Sequence, residues 1–144
     1  MLKPIFSIIF ISFLSLMGCS SQHDETMTLL DEKVVEVKVS ESKGLGGMNE
    51  DIIYSFKDQK SLNIFETAIR TAVEQPGEKV VSEPEYDVMV EYKSSNGEFP
   101  THGLHLWLGK EDEVSTFVYI ADDVVYHTSP KMTNKFRMLL VESE

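Results

Sequence analysis

Residues 86–120 read YDVMVEYKSSNGEFPTHGLHLWLGKEDEVSTFVYI, and their pattern decides the fold. Over 86–92 and again over 104–108, every second residue is apolar or aromatic, which is typical of strands with one buried face. The Asn-Gly pair at 96–97 favours the positive φ angles of a tight hairpin turn. Over 114–120 both faces become apolar toward the end, which indicates a central strand covered on both sides. The stretch therefore predicts an antiparallel meander of three strands.

Further strands are predicted outside the meander. Val35, Val37 and Val39 alternate with polar residues and indicate a half-buried strand before it. A short strand is predicted over 124–127, directly after the meander. The run at 52–56 has the composition of a strand without a clear alternation, so it is left out of the count.

Two helices complete the predicted domain. Residues 57–73 carry one apolar stripe at helical spacing, with Asp58 as the N-cap and Gln-Pro-Gly at 75–77 as the stop. Ser129 and Pro130 have the residue types of an N-cap and first turn, so a second helix is expected to begin there. The element order β-α-β-β-β-β-α predicts an α+β fold, with a mainly antiparallel sheet of about four to five strands and both helices on one face.

The N-terminus has the pattern of a lipoprotein signal peptide. Lys3 precedes an apolar run over 5–17, which is shorter than the roughly 20 residues that span a bilayer. Residues 16–19, Leu-Met-Gly-Cys, resemble a bacterial lipobox, with methionine where a small residue is usual. The resemblance implies that Cys19 receives a diacylglycerol thioether, and that residues 1–18 are removed. An ordinary secretory signal or an uncleaved anchor is the alternative.

The predicted domain organisation follows from that cleavage. Residues 19–32 are polar and acidic, and we predict a lipidated, flexible tether there, with one domain over 33–144. The mature chain loses one lysine and has a formal charge of −12, so anionic lipid headgroups are expected to repel it. The expected location is the extracytoplasmic face of the cell membrane, or the outer membrane in a cell with two membranes.

Composition excludes several functional classes. The chain has 24 acidic and 13 basic side chains among 144 residues, which argues against nucleic-acid binding because that needs Lys and Arg at phosphates. Cys19 is the only cysteine, so an internal disulfide and a zinc site with two or more cysteines are excluded. No cofactor is expected apart from the covalent lipid on Cys19, whose acyl chains include the diacylglycerol and an N-acyl group such as palmitate.

Histidines and one tryptophan are the candidate site residues. His102 and His105 have a metal-like spacing, but on a strand they point to opposite faces, and no metal site is predicted. Trp107 shares its face with His105, and both are candidate contacts for a partner or ligand. The alternative for Trp107 is an aromatic face that a helix covers. No pattern of nucleophile, base and orienting residue is present, so no catalytic residue is assigned.

The whole chain resembles the small YhfM-like lipoproteins of Bacillus-type bacteria. The resemblance rests on the lipobox at 16–19 and, within the domain, on LHLWL at 104–108, FVYI at 117–120, VYH at 125–127 and FRMLL at 136–140. It implies a location and an architecture, and it carries no activity.

The expected function is that of a membrane-anchored, non-catalytic binding or accessory module of the cell envelope. Its partner would be an envelope protein or a small ligand. One alternative is a small envelope hydrolase that uses carboxylates with His102, His105 or His127. Another is a domain that senses divalent cations.

Overall fold

The computed structural model describes residues 24–142, which form one antiparallel sheet and two helices. The strands are β1 (Val34–Glu41), β2 (Ile52–Phe56), β3 (Val73–Glu74), β4 (Tyr86–Tyr92), β5 (Thr101–Trp107), β6 (Ser115–Tyr119) and β7 (Tyr126–Thr128). The helices are α1 (Gln59–Arg70), between β2 and β3, and α2 (Pro130–Leu140), after β7. The spatial order is β2-β1-β4-β5-β6-β7-β3, and every neighbouring pair is antiparallel.

The predicted α+β class is confirmed, but the sheet has seven strands in the described range rather than four to five. Ile52, Ile53 and Tyr54 of β2 are apolar on both faces, so the alternation that marks a strand is missing there. This strand lies at an edge of the sheet, where its outer side chains stay exposed. At the other edge β3 has only two residues, which is too short for any periodic signal.

Both helices pack on the same face of the sheet, which we call the helix side. Leu104 and Leu106 of β5 point to this side and are fully buried. The ring centroids of Phe65 in α1 and Phe136 in α2 lie 5.1 Å apart, and Phe136 meets Phe117 of β6 at 5.9 Å. Burial of each such ring stabilises the fold by about 1.5–3 kcal/mol. The opposite face, the loop side, is lined by the loops 42–51 and 78–85.

The helix starts follow the predicted chemistry. The carboxylate of Asp58 accepts a hydrogen bond from the Ser61 amide at 2.9 Å, and Ser129 Oγ accepts one from the Met132 amide at 3.3 Å. These bonds satisfy amides that have no partner within the helix. The end of α1 falls at Arg70, three residues before the predicted end, because the chain turns there to enter β3.

A bulge changes which valines of β1 are buried. The pairing register with β4 shifts between Val34 and Glu36. Val34 therefore points into the core together with Val37 and Val39, and the predicted inward position of Val35 is wrong. An extra residue in one strand reverses the faces beyond it, so the alternation alone could not place the first valine.

Residues 25–30, which we call the strap, are packed on the domain. Met27 is 2% exposed and donates its amide to Ala72 O at 3.0 Å, and Leu29 is also buried. The flexible tether predicted over 19–32 is therefore wrong for the strap. The reason is that two apolar residues in a polar stretch find a site that distant parts of the chain create.

Tyrosine hydroxyls from the sheet hold the strap along its length. Tyr119 Oη donates to Thr28 O and accepts from the Thr28 amide at 2.9 Å. Tyr92 Oη accepts from the Leu30 amide at 3.4 Å. These contacts satisfy the backbone of a segment that has almost no regular structure.

Candidate functional site

A buried aspartate–histidine pair lies at the centre of the loop side. Asp87 of β4 and His105 of β5 are direct partners in the sheet register. The carboxylate Oδ1 lies 2.7 Å from His105 Nδ1, and the two side chains are 0% and 2% exposed. The other oxygen, Oδ2, accepts the Asn49 amide at 2.8 Å. Both carboxylate oxygens therefore have a hydrogen-bond donor, which is how a buried acid is tolerated.

The second nitrogen of His105 has no hydrogen-bond partner among the described residues. A carboxylate only accepts, so a neutral imidazole bonded to it carries its proton on Nδ1 and leaves the Nε2 lone pair free. The ring of Trp107 stands edge-on to it, with centroids 6.2 Å apart. A carboxylate that fixes the tautomer of a histidine is also the arrangement that prepares a general base.

Loop 42–51 covers the pair and is fixed to the sheet at Asn49. Ser40 Oγ donates to Asn49 O at 2.7 Å, and Asn49 Nδ2 donates to Glu41 O at 2.7 Å. Gly44 and Gly46, earlier in the loop, have φ angles of +104° and +135°, which L side chains rarely adopt. Glycine therefore suits the backbone at both positions, and the C-terminal end of the loop is tied to the pair.

Trp107 lies on the loop side and is half-buried. Its indole Nε1 donates to Ser82 O at 3.1 Å, which ties loop 78–85 to β5. The predicted aromatic face is divided between the two sides of the sheet. Four other aromatic side chains of the meander lie on the helix side with Leu104 and Leu106, and these are Tyr86, Tyr92, Phe117 and Tyr119. Neither helix of residues 24–142 covers Trp107, and its role as a partner contact stays a prediction.

The structure does not fit the prediction that His105 contacts a partner. Its side chain is 2% exposed, and Nδ1 is bound to Asp87, which also holds the Asn49 amide of loop 42–51. A histidine that is buried with a carboxylate partner stabilises the fold, and its ring is not accessible to a partner molecule.

The other histidines are held apart from His105. His102 points to the helix side, where Nδ1 lies 2.9 Å from Tyr92 Oη, and burial lowers the pKa of its imidazole. His127 Nε2 lies 2.9 Å from Glu78 Oε1 near the surface. Gly103 pairs regularly with β4, so no bulge turns His102 toward His105. Within residues 24–142, no three His, Cys, Asp or Glu side chains could hold a metal ion.

Sequence reasoning missed Asp87. A signal for it exists, because a hairpin that turns at 96–97 places 87 opposite about 105. An acid and a histidine on one face of neighbouring strands then meet.

Cys19 and residues 1–18 lie outside the described residues. None of the helices in 24–142 reaches the length and apolar character needed to cross a bilayer.

Comparison with known proteins identifies a family and a fold. A family model described as "YhfM protein" matches residues 31–144. No curated protein matches the chain. Among solved structures, the chain is similar to a thioesterase-like protein from Clostridium sporogenes ATCC 15579. The TM-score is 0.56 at 14% identity, and the match covers 75% of this chain and 94% of the other. At that identity the similarity concerns the fold alone.

Proposed function

The chain belongs to the YhfM family, and we propose that it is a lipoprotein anchored through Cys19 on the extracytoplasmic face of the cell membrane. Its domain would serve as a non-catalytic binding or accessory module. In a cell with two membranes the same anchor would serve in the outer membrane.

The observation that carries this proposal is the Leu-Met-Gly-Cys sequence at 16–19, directly after a short apolar run. The packed chain has begun by Glu25, and the family match begins at residue 31. Cleavage before Cys19 would therefore leave every described residue in the mature chain. Two or more acyl chains on Cys19 would hold the protein stably in a bilayer, where one chain would not.

Metabolic labelling with an alkyne fatty acid tests the anchor. The full-length chain should incorporate the label and lose residues 1–18, and the Cys19→Ser chain should do neither. Ser20→Ala is the matched control and should behave like the wild type. Equal incorporation of the label by the Cys19→Ser and wild-type chains would contradict the proposal.

A binding role is supported by how the candidate side chains are used. Asp87, His105 and Asn49 hold loop 42–51, and Trp107 holds loop 78–85 while part of its ring stays exposed. Two anchored loops beside a half-exposed tryptophan form a surface of defined shape. Such aromatic side chains often carry most of the binding energy of an interface.

Cross-linking in intact envelopes tests the binding surface. Tagged wild-type protein should capture a stoichiometric partner, and Trp107→Ala should lose it while retaining the far-UV circular dichroism of the wild type. Phe99→Ala is the matched control, because Phe99 is 62% exposed at the distant β4–β5 hairpin. Equal capture by Trp107→Ala and wild type would remove Trp107 from the interface.

A second candidate function, a small hydrolase, is favoured by one observation. The Asp87–His105 pair leaves Nε2 as a free acceptor, and a base in a hydrolase needs that. For it to act, loop 42–51 would have to open and admit a substrate. Turnover of ester or thioester substrates by the wild type, lost in His105→Gln, would establish this function. Equal background rates for the two proteins would exclude it.

A further inference from the structure

A shallow apolar groove separates the outer sides of α1 and α2. Its volume is about 410 Å³, and Ile64 of α1 faces Met132 and Met138 of α2 across it. Met138 is 61% exposed, although burial of such a side chain is favourable. Lys60 and Lys135 stand at the rim of the groove. We call the exposed surface of both helices around this groove the helical face.

The helical face is basic in an otherwise acidic protein. Residues 57–70 and 129–141 contain six basic and two acidic side chains, whereas the whole chain has a net charge of −11. The basic residues of these two segments are Lys57, Lys60, Arg70, Lys131, Lys135 and Arg137. Most of the negative charge therefore lies outside these two segments, although Glu111 and Glu142 border Met138 at one end of α2.

Three of these six basic residues form an ion pair or a hydrogen bond within the fold, and the other three form no ion pair among residues 24–142. Lys57 reaches Glu36 at 3.7 Å, Arg70 donates to Leu30 O, and Arg137 donates to Gly109 O. Across the described part of the chain, no carboxylate lies within 4 Å of the remaining three ammonium groups, which belong to Lys60, Lys131 and Lys135. Unpaired lysines beside an exposed apolar groove are the composition of a membrane-surface contact.

The chain between anchor and domain is short, if Cys19 is lipidated as proposed above. Because the strap is packed from residue 25 onward, only five residue steps separate Cys19 from Asp24. At full extension they span about 17 Å. The domain would then stay near the bilayer surface, where headgroup charges act over a Debye length of about 8 Å.

We propose that the helical face lies against a bilayer surface that contains anionic phospholipid. Lys60, Lys131 and Lys135 contact headgroup phosphates, and Met138 with the groove enters the boundary between headgroups and acyl chains. The charge complementarity selects this occupant, since the helical face is the basic surface of an acidic protein. The inference rests on the proposed anchor for the nearness of the membrane, and the lysines supply the orientation.

A fluorescent label at Met138→Cys tests this orientation in the full-length protein. Lipidated Cys19 has no free thiol, so an environment-sensitive dye reacts at position 138 alone. The labelled protein is reconstituted into phosphatidylcholine vesicles with and without phosphatidylglycerol. We expect a blue shift and protection from an aqueous quencher only when phosphatidylglycerol is present. The same dye at Val81→Cys, which is 97% exposed on the loop side, should show neither.

Charge variants then separate docking from net charge. Replacing Lys60, Lys131 and Lys135 by Gln should abolish the shift at position 138 while the protein stays in the vesicles. A matched triple variant replaces Lys33, Lys93 and Lys110 by Gln, which changes the net charge equally, and it should keep the shift. On unlipidated Cys19→Ser chains, we expect binding to phosphatidylglycerol vesicles to fall by roughly fivefold for each of the first three lysines removed.

These experiments distinguish a failure of the lipid-anchor proposal from a failure of the docking proposal. Dye at both positions 19 and 138 would show that Cys19 is free and would refute the anchor. In that case the Cys19→Ser chains still test the helical face by vesicle binding. An identical response in the two vesicle types, or a response at Val81→Cys instead, would overturn the docking proposal. Protection of position 138 by an acidic envelope protein, with no effect of lipid, would also overturn it.

Discussion

At the scale of single residues, Asp87 is the side chain on which the loop side depends most. Its two oxygens serve a histidine from the next strand and a backbone amide from loop 42–51. No local pattern marks it, because an acid at an alternate position of a strand usually faces solvent. The turn at 96–97 indicates that Asp87 and His105 are partners, since it fixes which residues of β4 and β5 face each other.

We predict that Asp87→Ala lowers the free energy of unfolding by about 2–6 kcal/mol, because each of two buried donors left without an acceptor costs about 1–3 kcal/mol. The loss arises because His105 Nδ1 and the Asn49 amide would both remain buried without an acceptor. Urea unfolding measures it. Asp51→Ala removes an exposed ion pair with Lys43 and should change nothing measurable. A similar stability of the two variants would contradict the assigned role of Asp87.

His102 makes the stability of the domain depend on pH. Leu30 N–H donates to Tyr92 Oη, so the tyrosine proton is available for His102 Nδ1, which accepts it when the imidazole is neutral. Burial lowers the pKa of the folded His102 below its usual 6.5. Protonation therefore favours the unfolded chain, where histidine titrates near about 6.5.

We expect the free energy of unfolding to fall as pH drops below about 6.5, and to stop falling from this source below the folded-state pKa. His102→Gln can still accept from Tyr92 and does not titrate, so it should lose this part of the slope. Urea unfolding at several pH values compares the two proteins. Parallel pH profiles would mean that His102 contributes nothing.

At the scale of elements, the sequence predicts the features that depend on residues close together along the chain, such as helix caps and tight turns. Asp58 and Ser129 cap the helices as expected, and the β4–β5 hairpin turns at Gly97 with a φ of +84°. The strap could not be predicted in this way. Its hydrogen bonds join Leu30 to Tyr92 and Thr28 to Tyr119, which are 62 and 91 residues apart in sequence. A segment that depends on such contacts has no periodicity of its own.

Met27 should control the docking of the strap. Met27→Ala removes most of a buried side chain, and such changes cost about 2–5 kcal/mol in protein cores. The strap is held by few contacts, so we expect it to detach while the sheet stays folded. Hydrogen exchange should then speed up at the amides of Met27 and Glu74, which bond to Ala72 O and Glu25 O.

The control for the strap variant is Leu45→Ala, because Leu45 is an exposed apolar side chain of loop 42–51. It should leave the exchange of both amides unchanged. Rapid exchange of both amides in the wild type would show that the strap is not docked in solution. The tether would then be as long as its sequence predicts.

At the scale of the whole molecule, the net charge does not determine how the protein interacts with an anionic membrane. The value of −11 predicts repulsion from anionic membranes, but charge acts through its distribution over the surface. Residues 57–70 and 129–141, which contain the two helices, carry half of the basic side chains of residues 24–142 and two of the acidic ones. Composition cannot reveal this separation, because it appears only when the two helices, distant in sequence, pack side by side.

The sheet should unfold as one unit together with the loops that line it. One hydrophobic core joins the strap, both helices and strands β1, β4, β5 and β6, and partly buried side chains of β2 and β7 pack against it. Trp107 is the only tryptophan of the chain and lies in β5, near the centre of the sheet. Its fluorescence reports on the loop side, whereas far-UV circular dichroism reports on the backbone throughout.

We predict coincident urea transitions by Trp107 fluorescence and circular dichroism, as two-state unfolding requires. The indole bond to Ser82 and the carboxylate bonds of Asp87 tie the two loops to β4 and β5, so these loops should be lost only with the strands. A fluorescence midpoint at lower urea would mean that the loop side opens first. A loop side that opens independently could expose His105 Nε2 in the folded protein, and the hydrolase would then become the better of the two proposed functions.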